Sequence, residues 1–136
     1  MRPIALDTNT YVGFKRGEAD CVELIAQAPR LLISSTVLGE LLAGFACGDR
    51  EARNREELRR FLAVATMEVT SIGLETADTY GLLYRGLRQQ GTPIPSNDLW
   101  IAASCLEHGA VLFSLDGHFE RVPGLRVVRR WSEVLP

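Results

Sequence analysis

Lysine is nearly absent from this chain: of 15 basic residues, only Lys15 is not arginine. An enzyme that sets a nucleophilic aspartate beside a lysine therefore has almost nothing to work with. Cysteine is scarce too. Cys21, Cys47 and Cys105 are odd in number and lack CxxC spacing, which indicates neither a disulfide framework nor a zinc site and reads as free thiols in a reducing cytosol. Long apolar runs are missing. No stretch is long enough to cross a bilayer, and Arg2 leads straight into "IALDTNTY" without the apolar core or cleavage site of a signal peptide. A cytoplasmic protein without membrane contact is expected. Excess positive charge is lacking as well: 17 acids stand against 15 bases, a formal net charge of -2, so nucleic acid cannot be gripped by bulk charge alone. Any phosphate contact must be local. Arginine's planar fork suits phosphate, though genome composition alone produces the same skew.

What is present is the material of a globular domain. Apolar residues make up 46% and charged residues 24%, and 136 residues suit one domain, residues 1–136. A chain of this size buries roughly two thirds of its unfolded surface on folding. Strands and helices alternate along it. "PIALD" is a short apolar run ending in an acid, and the polar "TNT" after it can cap a helix through "YVGFKRG". "ADCVELIAQA" sets Cys21, Val22, Ile25 and Ala26 on one helical face, and "RLLIS" suits only a buried strand. A helix from Ser35 to near Gly48 follows, then a charged one, "DREARNREELRRFLAVA", with apolar positions Leu58, Phe61, Leu62 and Ala65. "MEVTSI" alternates as a third strand, "LETADTYGLLYRGLRQQ" is helical up to Gly91, "TPIPS" is a loop, and "NDLWIAASCLEHG" is a helix. "AVLFSL" is a continuous apolar strand, "DGHFERVPG" is rich in turn residues, and "LRVVRRW" is a last short strand. This order predicts a doubly wound α/β fold: a mostly parallel five-stranded sheet with helices on both faces and right-handed connections.

Ligands of such sheets bind outside the carboxyl ends of the strands, where the strand order reverses. Four acids map to that edge. Asp7 ends the first strand, Glu40 lies in the first turns of the helix after the second, Asp98 is in the first turn of its helix, and Asp116 follows "AVLFSL". Three of them have a plain structural use: Asp7 can cap the next helix, Asp98 favours the positive end of its own, and Asp116 suits a turn. Glu40 has none. It stands in the otherwise apolar "TVLGELLAGF", its helical neighbours Thr36, Ala43 and Gly44 are small, and no base on that helix can pair with it. An unpaired buried carboxylate is strongly unfavourable, which favours a functional reading.

Two carboxylates about 4 Å apart repel by about 4 kcal/mol at an effective dielectric of about 20, so a shared pocket requires protonation or a cation. Oxygen ligands with no lysine nearby in sequence favour a hard divalent ion, Mg²⁺ or Mn²⁺, which keeps positions open for phosphate oxygens. Zinc would want histidine or cysteine. His118 reads as support for the turn after Asp116, and His108 as a partner for the negative end of its helix. Trp100 reads as a core or dimer contact rather than a base stack, and Arg85, Arg88, Arg129 and Arg130 as solvated surface.

The motifs "LDTN" at Leu6 to Asn9, the lone helical Glu40, "NDLWIAA" at Asn97 to Ala103 and "FSLDGHFERVPGLRV" at Phe113 to Val127 resemble those of PIN-domain ribonucleases. Among these, the VapC toxins of bacterial toxin–antitoxin pairs are the most similar. The resemblance spans nearly the whole chain in the same order. It implies that Asp7, Glu40, Asp98 and Asp116 are the acidic catalytic residues, with the metal on Asp7, Asp98 and Asp116, and Asn9 and Ser114 as polar supports. The activity implied is a Mg²⁺- or Mn²⁺-dependent endoribonuclease. Water attacks an RNA phosphodiester, Glu40 orients or deprotonates it, and the products carry a 5′-phosphate and a 3′-hydroxyl. A homodimer is implied too, together with a VapB-like antitoxin whose basic C-terminal part fills the acidic pocket. Candidate apolar faces for that partner are Leu38, Leu41, Leu42 and Phe45, and Leu58, Phe61 and Leu62. Two residues depart from the family pattern: Ser114 where many relatives have threonine, and Pro95 where glycine is usual.

Two other readings fit parts of the chain. A Mg²⁺-dependent phosphatase or phosphotransfer domain would gather acids at the same edge but ordinarily needs a lysine there. A catalytically silent interaction module would use the acids only as caps, which leaves Glu40 without a purpose.

Overall fold

The structure, a computed structural model, describes residues 2–134. Strands β1 (Ile4–Leu6), β2 (Leu31–Ser34), β3 (Met67–Thr70), β4 (Val111–Phe113) and β5 (Val127–Val128) form one sheet in the order β3-β2-β1-β4-β5. Every pairing is parallel. Each residue of β1, β2 and β4 is buried, and because successive side chains in a strand point to opposite faces, the sheet must be covered on both. The cover comes from helices α1 (Thr8–Lys15), α2 (Ala19–Gln27), α3 (Ser35–Ala46), α4 (Glu51–Leu62), α5 (Leu74–Gln89) and α6 (Ser96–Glu107), with a short α7 (Trp131–Val134) at the end. This is the doubly wound architecture the alternating pattern predicts, with all five strands parallel.

Topology places the cleft. From β1 the chain moves outward through β2 to β3, then crosses back to lay β4 and β5 on the other side of β1. The reversal opens a crevice at the carboxyl ends of β1 and β4, the point where such sheets take ligands. Two glycines keep the return short. Gly91 (φ +73°) ends α5 before the loop to α6, and Gly109 (φ +63°) turns α6 into β4, both in the left-handed region that side chains disfavour.

Packing explains where the sequence pattern misleads. In α2 the buried residues are Cys21 and Leu24, while Val22 is 39% exposed and Ala26 is open to solvent, so the inward face is one position away from the expected one. Ala65 lies past the end of α4 in an exposed turn. The outer strands are shorter than "MEVTSI" and "LRVVRRW" suggest: β3 stops at Thr70 and β5 holds only two residues. An edge strand has a neighbour on one side only, so apolar alternation there can continue beyond the pairing. Around α1 and α4 the core is aromatic, with Tyr11 and Phe61 edge to face at 4.9 Å. Helix α6 buries Leu99, Ile101, Ala102, Ala103 and Cys105, and its Trp100 stacks on Tyr80 of α5 at 4.0 Å. That stack occupies Trp100 as a packing residue, as its apolar setting suggests. No helix among the described residues is long and apolar enough to cross a membrane.

Candidate active site

Asp7 is the residue after β1 and the N-cap of α1. Its Oδ1 accepts from the backbone N–H of Thr10 at 2.9 Å, and the Thr10 hydroxyl lies 2.7 Å from Oδ1 and 2.8 Å from the Phe113 carbonyl oxygen. Asp7 itself therefore caps the helix; the "TNT" expected to do so forms its first turn, because a side chain must precede the turn to reach its free N–H groups. Across the crevice the Ser114 hydroxyl donates to Asp7 Oδ2 at 2.5 Å and accepts from the Asp116 N–H at 3.0 Å. Ser114 and Thr10 are fully buried, and Asp7 is 4% exposed. A serine in place of threonine thus keeps the hydroxyl that joins the ends of the two central strands.

The other three carboxylates arrive from separate elements. Ser34 caps α3 by accepting from the Val37 N–H at 3.3 Å, which sets the start of the helix that presents Glu40. Glu40 is half-buried, not fully enclosed, and neutral donors from two other elements hold it: Thr8 Oγ1 to Oε1 at 2.6 Å and Asn97 Nδ2 to Oε2 at 3.4 Å. Asp98 sits in the first turn of α6, whose N-cap is Pro95 with φ −55°. That is the angle the proline ring imposes, so Pro95 starts this helix without strain. Asp116 follows β4 by three residues and caps the 3-10 helix Gly117–Arg121, accepting from the His118 N–H at 2.9 Å. The ring of His118 turns back, with Nδ1 3.2 Å from Asp98 Oδ2 and 3.3 Å from Asp116 Oδ1.

These acids feel one another. Burial holds the Asp7 carboxyl above its usual range against the hydrogen bonds from Ser114 and Thr10, and the charge on Asp116 adds to the rise. Burial is also the main cause at Asp98, opposed by the His118 hydrogen bond and reinforced by the charges on Asp116 and Glu40. Couplings from Asp7 to Asp116, from Asp116 to Asp98 and from Asp98 to Glu40 therefore link all four into one cluster at the crevice. Among the described residues no lysine or arginine forms an ion pair with any of them. The donor set fits a divalent cation: hard carboxylate oxygens, an imidazole beside them, and no fixed counter-charge to compete. Among the described residues, Asp98, Asp116 and His118 each offer one ligand atom, and these atoms all lie within 4.8 Å of one another.

The structure thus brings together Asp7, Glu40, Asp98, Asp116 and Ser114, while Asn9 lies exposed on the same first turn of α1. Sequence reasoning missed Thr8, Thr10 and Asn97, and gave His118 a turn role only. For Thr10 a signal existed, since a hydroxyl three residues after an N-cap aspartate faces back onto it. Thr8 and Asn97 had none, being 32 and 57 residues from Glu40.

An acid-lined crevice at the switch point of a parallel α/β sheet is the class of site that the fold and these residues define. The chain belongs to the PIN-domain family, whose model matches residues 4–125. It is 31% identical over 133 residues to Ribonuclease VapC2 of Rickettsia felis, covering 94% of this chain and 97% of that one. Ribonuclease VapC4 of Mycobacterium tuberculosis is 30% identical over 130 residues, again covering 94% and 97%. Among solved structures, a chain of the Rickettsia felis VapBC2 complex bound to a promoter DNA fragment superposes with a TM-score of 0.81 at 27% identity, covering 93% of this chain and 97% of that one.

Proposed function

We infer that this protein is an endoribonuclease toxin of the VapC type, acting in the cytoplasm with Mg²⁺ or Mn²⁺ and neutralised by a cognate VapB-like antitoxin. The observation that carries the reading is the four-carboxylate cluster without a lysine or arginine partner among the described residues, in a chain whose relatives over nearly its full length are named ribonucleases. Asp7, Asp98 and Asp116 would hold the cation. When bound, such an ion polarises a phosphodiester and makes water a stronger nucleophile at neutral pH.

The chain's own residues supply the rest. Glu40 is the general base, with Thr8 and Asn97 each holding one of its oxygens. It takes the proton from water as the water oxygen bonds to phosphorus. The bond from phosphorus to the 3′-oxygen then breaks, and that oxygen leaves with the electron pair and takes a proton from solvent water, giving a 3′-hydroxyl and a 5′-phosphate. Ser114 and Thr10 keep Asp7 in one rotamer, so the inner wall needs no rearrangement during the step.

The partner surface would lie beside α3, the helix that carries Glu40. Leu41 and Phe61 are buried in the core, whereas Leu38, Leu42 and Leu62, together with the buried Leu58, line an open groove between α3 and α4 rimmed by Arg55, Glu56 and Arg59. An amphipathic antitoxin helix would lay its apolar face there. A homodimer is part of the same proposal. The test is cleavage of a short RNA beside a phosphomonoester, with Mg²⁺ or Mn²⁺ and with EDTA. RNA cut only with the metal is expected; turnover of the ester alone, or of neither substrate, would remove the reading.

A further inference from the structure

We propose that His118 is a ligand of the cation site, so that the protein presents a mixed set of carboxylates and one imidazole rather than oxygens alone. The proposal rests on the cation-dependent reading of the cleft and deepens it by naming the donor that decides which ion is preferred. Nδ1 of His118 lies 3.2 Å from Asp98 Oδ2 and 3.3 Å from Asp116 Oδ1. In an octahedral site with bonds of about 2.1 Å, adjacent ligand atoms stand about 3 Å apart. The imidazole nitrogen is therefore already spaced from both carboxylate oxygens as a neighbouring ligand would be.

The position of the ring follows from the chain. The backbone N–H of His118 donates to Asp116 Oδ1 at 2.9 Å, so the turn that orients Asp116 also starts the 3-10 helix carrying the ring. The side chain is 42% exposed and contributes little to the core, so packing does not account for its direction. Two roles remain for it. An imidazolium would be an internal counter-charge that holds Asp98 and Asp116 together, and metal binding would have to expel it. A neutral imidazole would bind the ion directly, and one nitrogen in the set shifts preference from Mg²⁺ towards Mn²⁺ and later first-row ions. The spacing of one nitrogen to both oxygens at once, on a ring whose direction packing does not set, favours the ligand.

Mn²⁺ binding to the intact chain tests this without any substrate. Electron spin-echo spectroscopy of the wild-type protein with Mn²⁺ is expected to show coupling to an imidazole nitrogen, and His118→Ala is expected to remove it. Calorimetric titration should show Mn²⁺ affinity falling at least about tenfold in the variant, the loss that even an outer partner of a ligand brings, with a smaller loss for Mg²⁺. Bound Mn²⁺ without nitrogen coupling in the wild-type protein would overturn the proposal, as would undiminished Mn²⁺ affinity in His118→Ala. Because the wild-type spectrum decides the matter, a variant that folds poorly does not rescue it. RNA cutting with Mn²⁺ but no nitrogen coupling would sink the ligand role alone; failure to bind Mn²⁺ at all would sink it together with the cation-dependent reading.

Discussion

The inner and outer walls of the cleft are built differently. Asp7, Ser114 and Thr10 form a buried knot in which each hydroxyl contacts a carboxylate oxygen and a second group. Glu40, Asp98, Asp116 and His118 form a half-open rim whose partners come from four separate elements. Burial makes hydrogen bonds compulsory, because an unmet buried polar group costs more than a made bond returns. The inner wall is therefore stiff, and the rim is free to exchange partners for an ion or a phosphate. Caps and site are also the same residues: Asp7 and Asp116 each begin a helix and each face the cleft.

The largest effect should come from removing the inner charge. Asp7→Asn keeps an oxygen to cap α1 but is expected to lower RNA cleavage by at least about a hundredfold, read in single-turnover kinetics. The same variant should not lose metal-free stability. The folded-state pKa of Asp7 is raised by burial, so in EDTA the stability it contributes is fully present below the ordinary aspartate range and declines as pH rises through the raised value. In that window the native state keeps a proton that the unfolded chain has released. Urea denaturation from acid to neutral pH should show a shallower decline for Asp7→Asn; an unchanged profile would mean that the inner carboxyl is not strained.

The next contrast sets one wall against the other. Ser114→Ala strands a buried Asp7 oxygen and should cost about 1–3 kcal/mol in denaturant midpoint analysis. Thr8→Val removes the nearer partner of half-buried Glu40 and should cost about 1 kcal/mol or less, while slowing cleavage through a loosened base. Equal stability losses would erase the distinction between knot and rim. The smallest effect belongs to Asn9→Ala, expected within about 0.5 kcal/mol of wild type because the side chain is exposed. A clear drop in its cleavage rate with stability intact would assign Asn9 to substrate contact rather than to support.

Much of this was legible in the residues because it rests on local period and on topology. Strand and helix order follow from apolar spacing, and the edge where acids gather follows from parallel winding. What could not be seen depends on contacts distant in the chain. Helix α7 is four residues long, and the Trp131 N–H that opens it donates to Asp20 Oδ1 of α2, 111 positions away, so no pattern around "RRW" announces it. The partners of Glu40 were hidden for the same reason. A lone histidine beside glycine has many uses, and only the return of the His118 ring onto Asp98 distinguishes them.

The single hydroxyl oxygen of Ser114 both gives and receives a hydrogen bond at the seam of the sheet. Any breathing that spreads the two middle strands must slacken Asp7 and the Asp116 loop at once. The mouth of the cleft and the middle of the sheet thus share one stiffness, and a substitution that softens the sheet far from the chemistry will register as poorer aim of its acids.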